Sequence, residues 1–198
     1  MDPKDGAKQD AAKPEAKRAP ASRWKPIAVG LAALAVIAVL IVVVTGNSGD
    51  EDSPDSSAEA ARIVSVDELR EAAGSADNPI YWAGPQDGAE LELSSSEEGR
   101  TYVRYLEDGA EAGDPGNEFL TVGTYPFPNA AAALRKLGNE PGGVLASTPG
   151  GGVVYFDRQR PQNVYLAFPG SSLQVEVFDP DAKRALGLVV SGLIVPIG

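Results

Sequence analysis

Cysteine and histidine are both absent from the 198 residues of this chain. Without cysteine the protein has no disulfide and no thiol nucleophile, and without histidine it has no Ser-His-Asp triad and no imidazole acid or base. Nearly every zinc site uses one of these two residue types. The sequence therefore predicts no catalytic residue, no metal site and no cofactor.

Lysine is also scarce in the second part of the chain, where Lys136 and Lys183 are the only lysines after residue 45. Both stand beside an arginine on predicted helices, which favours solvated positions over a Ser-Lys catalytic pair. A pair of carboxylates about 5 to 9.5 Å apart would be enough for glycoside hydrolysis. No pattern singles out two acids among the 24 that follow residue 45.

One long apolar run, Ile27 to Val44, contains no charged or polar side chain. A helix of these 18 residues would extend about 27 Å, close to the ~30 Å of a hydrocarbon core. Twelve of them are Leu, Ile or Val, which favours insertion by about 4 to 7 kcal/mol. We predict a single transmembrane helix over residues 26–45.

Charge on either side of this run sets its orientation. Residues 1–26 hold seven basic and four acidic residues, whereas the first charged residues after the run are all acidic. Positive charge stays inside, so the N-terminus is expected in the cytoplasm, with Trp24 and Lys25 at the membrane interface. A cleaved signal peptide is the alternative, but its apolar core runs only about 7 to 15 residues and ends near a small-x-small site. The first Ala-x-Ala sequence after the run begins at Ala58, well downstream.

These features divide the chain into four predicted parts. They are a disordered basic cytoplasmic tail (1–25), the membrane helix (26–45), an acidic flexible linker (46–62) and an extracytoplasmic domain (63–198). The chain as a whole has a net charge of −11, and residues 46–198 have a net charge of −14. A domain of this charge does not attract nucleic acid, which we exclude as a partner.

Apolar periodicity in the exterior domain predicts an α+β fold of antiparallel β-meanders and short helices. The first helix should begin at a capping box in which Ser65 is the N-cap and Glu68 reaches back to it. Two more helices are expected over Ala130 to Leu137 and after Asp181. The predicted strands are Ile80 to Ala83, Glu90 to Ser94, Thr101 to Leu106, Phe119 to Tyr125, Gly143 to Ser147, Val153 to Asp157, Val164 to Phe168 and Leu173 to Phe178.

The two halves of this domain have similar sequences. Residues 128–134 (PNAAAAL) return as residues 180–186 (PDAKRAL), and a Pro-x-x-Gly turn at 85–88 returns at 149–152. The order helix, four strands, helix, four strands, helix suggests a duplicated helix-plus-four-strand unit.

Two glycine-containing segments are candidates for ligand sites. The acidic loop 107–118 offers oxygen ligands for calcium, but its spacing does not match an EF-hand, and a solvated connection between strands is favoured. Gly150, Gly151 and Gly152 lack the Gly-Lys-Ser/Thr of a phosphate loop, so we predict a hairpin turn there.

Aromatic and arginine residues offer the best candidate for a binding patch. We select Trp82, Tyr102 and Arg104, which would suit a glycan or a protein partner. The alternative is that the aromatics belong to the core, because Val103 and Tyr105 form an equally good inward face of the same strand.

The sequence resembles uncharacterised single-pass membrane proteins of actinobacteria. The resemblance is carried by Tyr81-Trp82-x-Gly84-Pro85, by residues 102–105 (YVRY) and by residues 176–180 (EVFDP). It covers most of the exterior domain and implies a bacterial cell-envelope location and no particular activity. Membrane-bound anti-sigma factors are similar in outline, but the 25-residue tail departs from their folded cytoplasmic domain.

Three functions are compatible with these observations. A membrane-anchored envelope protein with a non-catalytic binding module is the first, and its partner would be an envelope protein or a cell-wall glycan. The others are a carboxylate-dependent hydrolase acting on cell-wall glycans, and a membrane signalling or assembly protein that associates through small residues such as Gly30, Ala33 and Ala38. The sequence gives no prediction of the oligomeric state.

Overall fold

The computed structural model describes residues 59–107 and 109–198. They form an α+β fold with a mostly antiparallel sheet and three short helices, which confirms the predicted fold class at that level. In this part of the chain no helix has the length and hydropathy needed to cross a bilayer. The predicted tail 1–25, membrane helix 26–45 and interface residues Trp24 and Lys25 lie outside the described residues, as does the linker up to residue 58. Residues 59–62, which the sequence predicts as the end of that flexible linker, instead belong to a strand, Glu59–Val64, that pairs in the sheet.

Strands and helices follow the apolar pattern closely. The capping box is present, with the Ser65 hydroxyl accepting from the Glu68 amide and the Glu68 carboxylate accepting from the Ser65 amide. In chain order the elements are β1 Glu59–Val64, α1 Val66–Ser75, β2 Tyr81–Trp82, β3 Ala89–Ser95, β4 Thr101–Glu107, β5 Leu120–Pro126, α2 Ala130–Gly138, β6 Gly143–Ser147, β7 Val153–Asp157, β8 Arg160–Ala167, β9 Leu173–Phe178, α3 Ala182–Val190 and β10 Val195–Pro196.

Eight of these strands form one sheet in the order β1-β3-β4-β5-β9-β8-β7-β6, and β2 pairs separately with β10. All the pairings are antiparallel. The central pair, β5 with β9, joins a meander from the first half of the domain to a meander from the second half. Side chains that are about fifty residues apart in sequence therefore meet at the middle of the sheet.

The first face of the sheet is covered by α1 and α3. Leu69 of α1 and Val189 of α3 are fully buried with Val103, Val122 and Val177, in a cluster that spans β3 to β9. Alternation along each strand places the intervening side chains on the second face. The side chains of each strand are thus divided between the first face, under α1 and α3, and the second face.

The second face is covered by a helix only in part. Leu134 of α2 packs in a separate cluster with Val153, Tyr155 and Ala167, which belong to β7 and β8. That cluster contains no residue of β3, β4 or β5. The second face is therefore apolar beneath α2 and largely polar over the central strands, where Leu106 of β4 is a buried aliphatic side chain.

Candidate functional site

A row of tyrosines and polar groups crosses the second face from β4 to β8. The backbone register places Tyr102 opposite Gly123, Gly123 opposite Glu176, and Glu176 opposite Tyr165. Three strand spacings separate the two ends, or about 14 Å. We call this row, together with the side chains bonded to it, the tyrosine strip; its members are Tyr102, Gly123, Tyr125, Asn163, Tyr165 and Glu176.

Glu176 lies at the centre of the strip and is 4 % exposed. Its Oε2 accepts a hydrogen bond from the Tyr125 hydroxyl at 2.5 Å, and its Oε1 accepts one from Asn163 Nδ2 at 2.6 Å. No salt bridge of the described residues includes it. A buried carboxylate has to be hydrogen-bonded, and here neutral side chains make those bonds.

The tyrosines on either side of Glu176 are held in their protonated form. Burial raises the pKa of Tyr125, and the neighbouring Glu176 carboxylate raises it further. The same two causes, in the same order, raise the pKa of Tyr165. Both side chains are half-buried, so they connect the buried carboxylate to the surface of the sheet.

Tyr102 occupies the end of the strip on β4. A Cβ atom at Gly123 would lie 3.2 Å from the Tyr102 ring and 3.4 Å from the Tyr125 ring, so the glycine gives room for both rings over β5. Burial raises the pKa of Tyr102; the neighbouring Arg100 acts in the opposite direction, and Glu176 adds to the increase. Tyr102 is therefore close enough to one cation, Arg100, and one anion, Glu176, to be affected by both charges.

A buried ion pair beside the strip fastens the acidic loop to the sheet. Arg104 Nη1 donates to Glu92 Oε1 at 2.9 Å, and Arg104 Nη2 donates to the carbonyl oxygens of Asp114 and Gly116, each at 2.9 Å. The second Glu92 oxygen accepts from the Gly113 amide at 2.6 Å. The guanidinium carbon also lies 5.0 Å from the ring centroid of Phe119. Arg104 is thus engaged inside the protein.

The structure separates the three residues predicted as a binding patch. Trp82 is buried in the cluster on the first face. Tyr102 and Arg104 alternate with Val103 and lie on the second face. Tyr102 belongs to the tyrosine strip, whereas Arg104 binds the acidic loop.

The other members of the strip are not predicted from the sequence. Gln174 and Glu176 interrupt an otherwise apolar strand, and both are buried. A glutamate inside a strand of this kind is the signal that points to a buried polar network. Its partners Tyr125 and Asn163 are 51 and 13 residues away in sequence, so only the strand order reveals them.

Two other segments have simple structural roles. Thr148 and Gly152 close the β6–β7 hairpin, with the Thr148 amide bonded to the Gly152 carbonyl and the Gly152 amide bonded to the Thr148 hydroxyl. This confirms the predicted turn at residues 150–152. Among residues 59–107 and 109–198, no three acidic side chains come together in a way that could hold a metal ion.

A second buried carboxylate, Asp179, lies just before α3 and is 2 % exposed. Its Oδ1 accepts from the Asp181 amide at 2.8 Å, and its Oδ2 lies 3.4 Å from Arg184 Nε without a hydrogen bond. Burial raises the pKa of Asp179, although the Asp181 amide and Arg184 oppose the increase. We therefore assign Asp179 a structural role at the beginning of α3.

Comparison with protein-family models, with curated proteins and with solved structures finds no match to this chain. The function therefore has to be inferred from the chemistry of the residues themselves.

Proposed function

We propose that this chain is a membrane-anchored envelope protein whose extracytoplasmic domain, residues 63–198, is a non-catalytic binding module. The tyrosine strip is the observation that supports this proposal best. Half-buried tyrosines give large contact areas at a small cost in conformational entropy, and a fixed carboxylate and amide orient their hydroxyl groups. Such preorganised groups are suited to binding where α2 does not cover the face; the α2 cluster reaches the strip at Tyr165 of β8 and includes no residue of β4 or β5.

The anchor is supported by the sequence of the first 45 residues. An uncharged run of 18 residues follows a basic segment that ends in Trp24 and Lys25, and an acidic stretch follows the run. This pattern is that of a single-pass helix with its N-terminus in the cytoplasm. The acidic linker would then hold the binding domain away from the membrane surface.

The hydrogen bonds of the buried acids favour binding over glycoside hydrolysis. A hydrolase needs one carboxylic acid that protonates the substrate and a second carboxylate that reaches the sugar or a water molecule. Both oxygens of Glu176 already accept from protein donors, and Glu92 on the same face is paired with Arg104.

The element order supports the proposed duplication. Helix α1 with β2 to β5 corresponds to α2 with β6 to β9, and the two meanders meet at β5 and β9. The copies differ at one strand. In the second copy β6 pairs with β7 at the sheet edge, whereas in the first copy β1 takes that place beside β3, and β2 pairs with β10 instead. The strip crosses the junction between the two proposed copies.

The topology is tested by cysteine labelling, for which a chain without cysteine is well suited. Variants Lys8→Cys and Glu97→Cys are treated with a membrane-impermeant maleimide in intact cells. We expect Glu97→Cys to be labelled at once and Lys8→Cys only after the membrane is permeabilised. Equal labelling of both variants, or recovery of the protein in the soluble fraction, would contradict the anchored topology.

The binding role is tested by photo-crosslinking in the same cells. A photoreactive amino acid at Tyr102 is compared with one at Lys183, an exposed position that follows the N-cap of α3. We expect adducts with an envelope component from position 102 and few from position 183. An equal yield from the two positions would contradict a binding surface at the strip, and adducts with a second copy of the chain would favour the assembly role.

A further inference from the structure

The composition of the tyrosine strip is unlike the centre of a protein-protein interface. Such centres are enriched in tyrosine but depleted of acidic side chains, whereas the strip has Glu176 at its centre and contains no aliphatic side chain. It consists of three tyrosines, an asparagine, a glutamate and a glycine that lets two of the rings lie over the strand. Flat aromatic faces beside planar hydrogen-bonding groups suit ligands that have both C–H faces and hydroxyl groups.

Hydrogen-bond direction further restricts the ligand. The Tyr125 hydroxyl and the Asn163 amide nitrogen both donate to Glu176. The Tyr125 oxygen also accepts from Gln174 Nε2 at 3.5 Å, which leaves its second lone pair and the Asn163 amide oxygen to act as acceptors. A ligand that complements them has to bring donors, and hydroxyl groups are neutral donors of this kind.

Charge around the strip argues against an ionic ligand. Glu176 gives the centre an anion, and the net charge of −14 on residues 46–198 repels polyanions. Arg100 acts on Tyr102 at one end, and the exposed Arg160 acts on Tyr165 at the other; each lowers the pKa of its tyrosine and opposes the effect of Glu176. Arginines at both ends of the strip would repel a positively charged polymer, so a polycation is disfavoured as the ligand.

We propose that the tyrosine strip binds a neutral glycan chain of the cell envelope, which lies across β4, β5, β9 and β8. This inference rests on the proposed binding function and adds the chemical class of the ligand. The tyrosine rings contact the sugar rings, and Glu176 acts as a positioning residue that fixes the Tyr125 hydroxyl and the Asn163 amide.

The test is a calorimetric titration of the full-length protein in a detergent without a sugar head group, since glycosidic detergents would compete. The probes are hexasaccharides of different charge: neutral β-1,4-linked N-acetylglucosamine, neutral maltohexaose, cationic deacetylated glucosamine and an anionic hyaluronan fragment. We expect at least one neutral probe to bind about tenfold or more tightly than either charged probe. Tighter binding of a charged probe, or no binding of either neutral probe, would overturn the inference.

Variants locate the binding on the strip. Tyr102→Ala should weaken binding of the neutral probe about tenfold, whereas Tyr81→Ala, which changes a half-buried tyrosine beside the first-face core, should leave the affinity unchanged. Because Tyr102→Ala also removes packing, the exposed Arg160→Glu serves as a second variant. It should shift the preference several-fold toward the cationic glucosamine hexamer. Unchanged affinities and preferences in Tyr102→Ala and Arg160→Glu would overturn the assignment to the strip.

Failure of this inference differs from failure of the proposed function. If position 102 crosslinks to an envelope component that proteinase K removes, and no neutral hexasaccharide binds, the glycan assignment is wrong and the binding function stands. If position 102 gives no more adducts than position 183, the binding function itself is wrong.

Discussion

Polar groups on the two faces of the sheet have different environments. On the first face, under α1 and α3, the Tyr105 hydroxyl accepts from the buried Ala83 amide at 2.7 Å, and burial raises the pKa of Tyr105 to about 12. On the second face, the Tyr125 hydroxyl donates to a carboxylate and stays half-buried. The first tyrosine completes a core, whereas the second belongs to a network that reaches the surface. The proposed ligand binding therefore belongs to the second face alone, whereas both faces contribute to stability.

The largest expected effect is on the second face, where an ion pair holds the acidic loop. Arg104→Met leaves the buried Glu92 without its cation and should lower the free energy of unfolding by about 3 to 5 kcal/mol. The double variant Glu92→Met with Arg104→Met should recover most of this loss, because no unpaired charge remains. Urea unfolding followed by near-ultraviolet circular dichroism measures both. Equal destabilisation in the single and double variants would indicate that the loop is held by other contacts.

On the first face the expected loss comes from packing alone. Leu166 is 1 % exposed in the core cluster, so Leu166→Ala should cost about 2 to 5 kcal/mol. Binding of the neutral hexasaccharide at 10 °C should persist, because Leu166 points away from the strip. Glu97→Ala in the exposed β3–β4 turn is the control and should change stability by less than about 0.5 kcal/mol. Loss of binding in folded Leu166→Ala would mean that the two faces are coupled.

A smaller effect is expected from a single hydroxyl group of the strip. Tyr125→Phe removes a hydrogen bond to a carboxylate and should cost about 1.5 to 3 kcal/mol. Tyr81→Phe is the matched control, since the structure shows no hydrogen bond from its hydroxyl within the described residues, and it should cost less than about 0.5 kcal/mol. Thermal unfolding of the two variants side by side checks this difference. Similar costs would show that the Glu176 network contributes little to stability.

The smallest expected effect is on the pH dependence of the free energy of unfolding, through Asp179 beside the first face. Because burial raises the pKa of Asp179 above its usual value near 3.8, the folded state binds this proton more tightly than the unfolded state. The contribution of Asp179 to stability is therefore greatest at low pH and is lost as pH rises from about its unfolded pKa through its folded pKa. Asp179→Asn should remove this decline. A pH series of unfolding free energies that is identical in Asp179→Asn and the wild type would contradict the assignment.

Much of the fold could be predicted from local patterns. The capping box at Ser65 and Glu68, the hairpin at residues 150–152 and strands β6, β7 and β9 all agree with the structure. Each of them depends on residues close together in the chain. Strand β8 begins at Arg160, four residues before the predicted start. Pro161 and Gln162 show no apolar alternation, and this segment is held by the pairing of Arg160 with Asp157 of β7 and by the Gln162 carbonyl, which accepts from the Asp179 amide.

The candidate site could not be predicted in the same way. Whether Tyr102 or Val103 faces the core depends on which side of the sheet the helices cover, and alternation alone does not decide this. Trp82 joins the core because β2 pairs with β10, at the far end of the domain. Glu176 meets Tyr125 only because β9 is placed beside β5. These are long-range pairings, and no local propensity specifies them.

The restriction of ligand binding to the second face is tested most directly by fluorine NMR of the full-length protein labelled with 3-fluorotyrosine. All six tyrosines lie within the described residues, and Tyr→Phe variants assign their six signals. On addition of the neutral hexasaccharide that binds, we predict shifts for Tyr102, Tyr125 and Tyr165 on the second face and none for Tyr81 and Tyr105 on the first face. Tyr155 lies beneath α2 with its ring centroid 5.9 Å from that of Tyr165, so its signal belongs to neither group. Shifts confined to the second group, or equal shifts of all six signals, would contradict a binding surface on the second face.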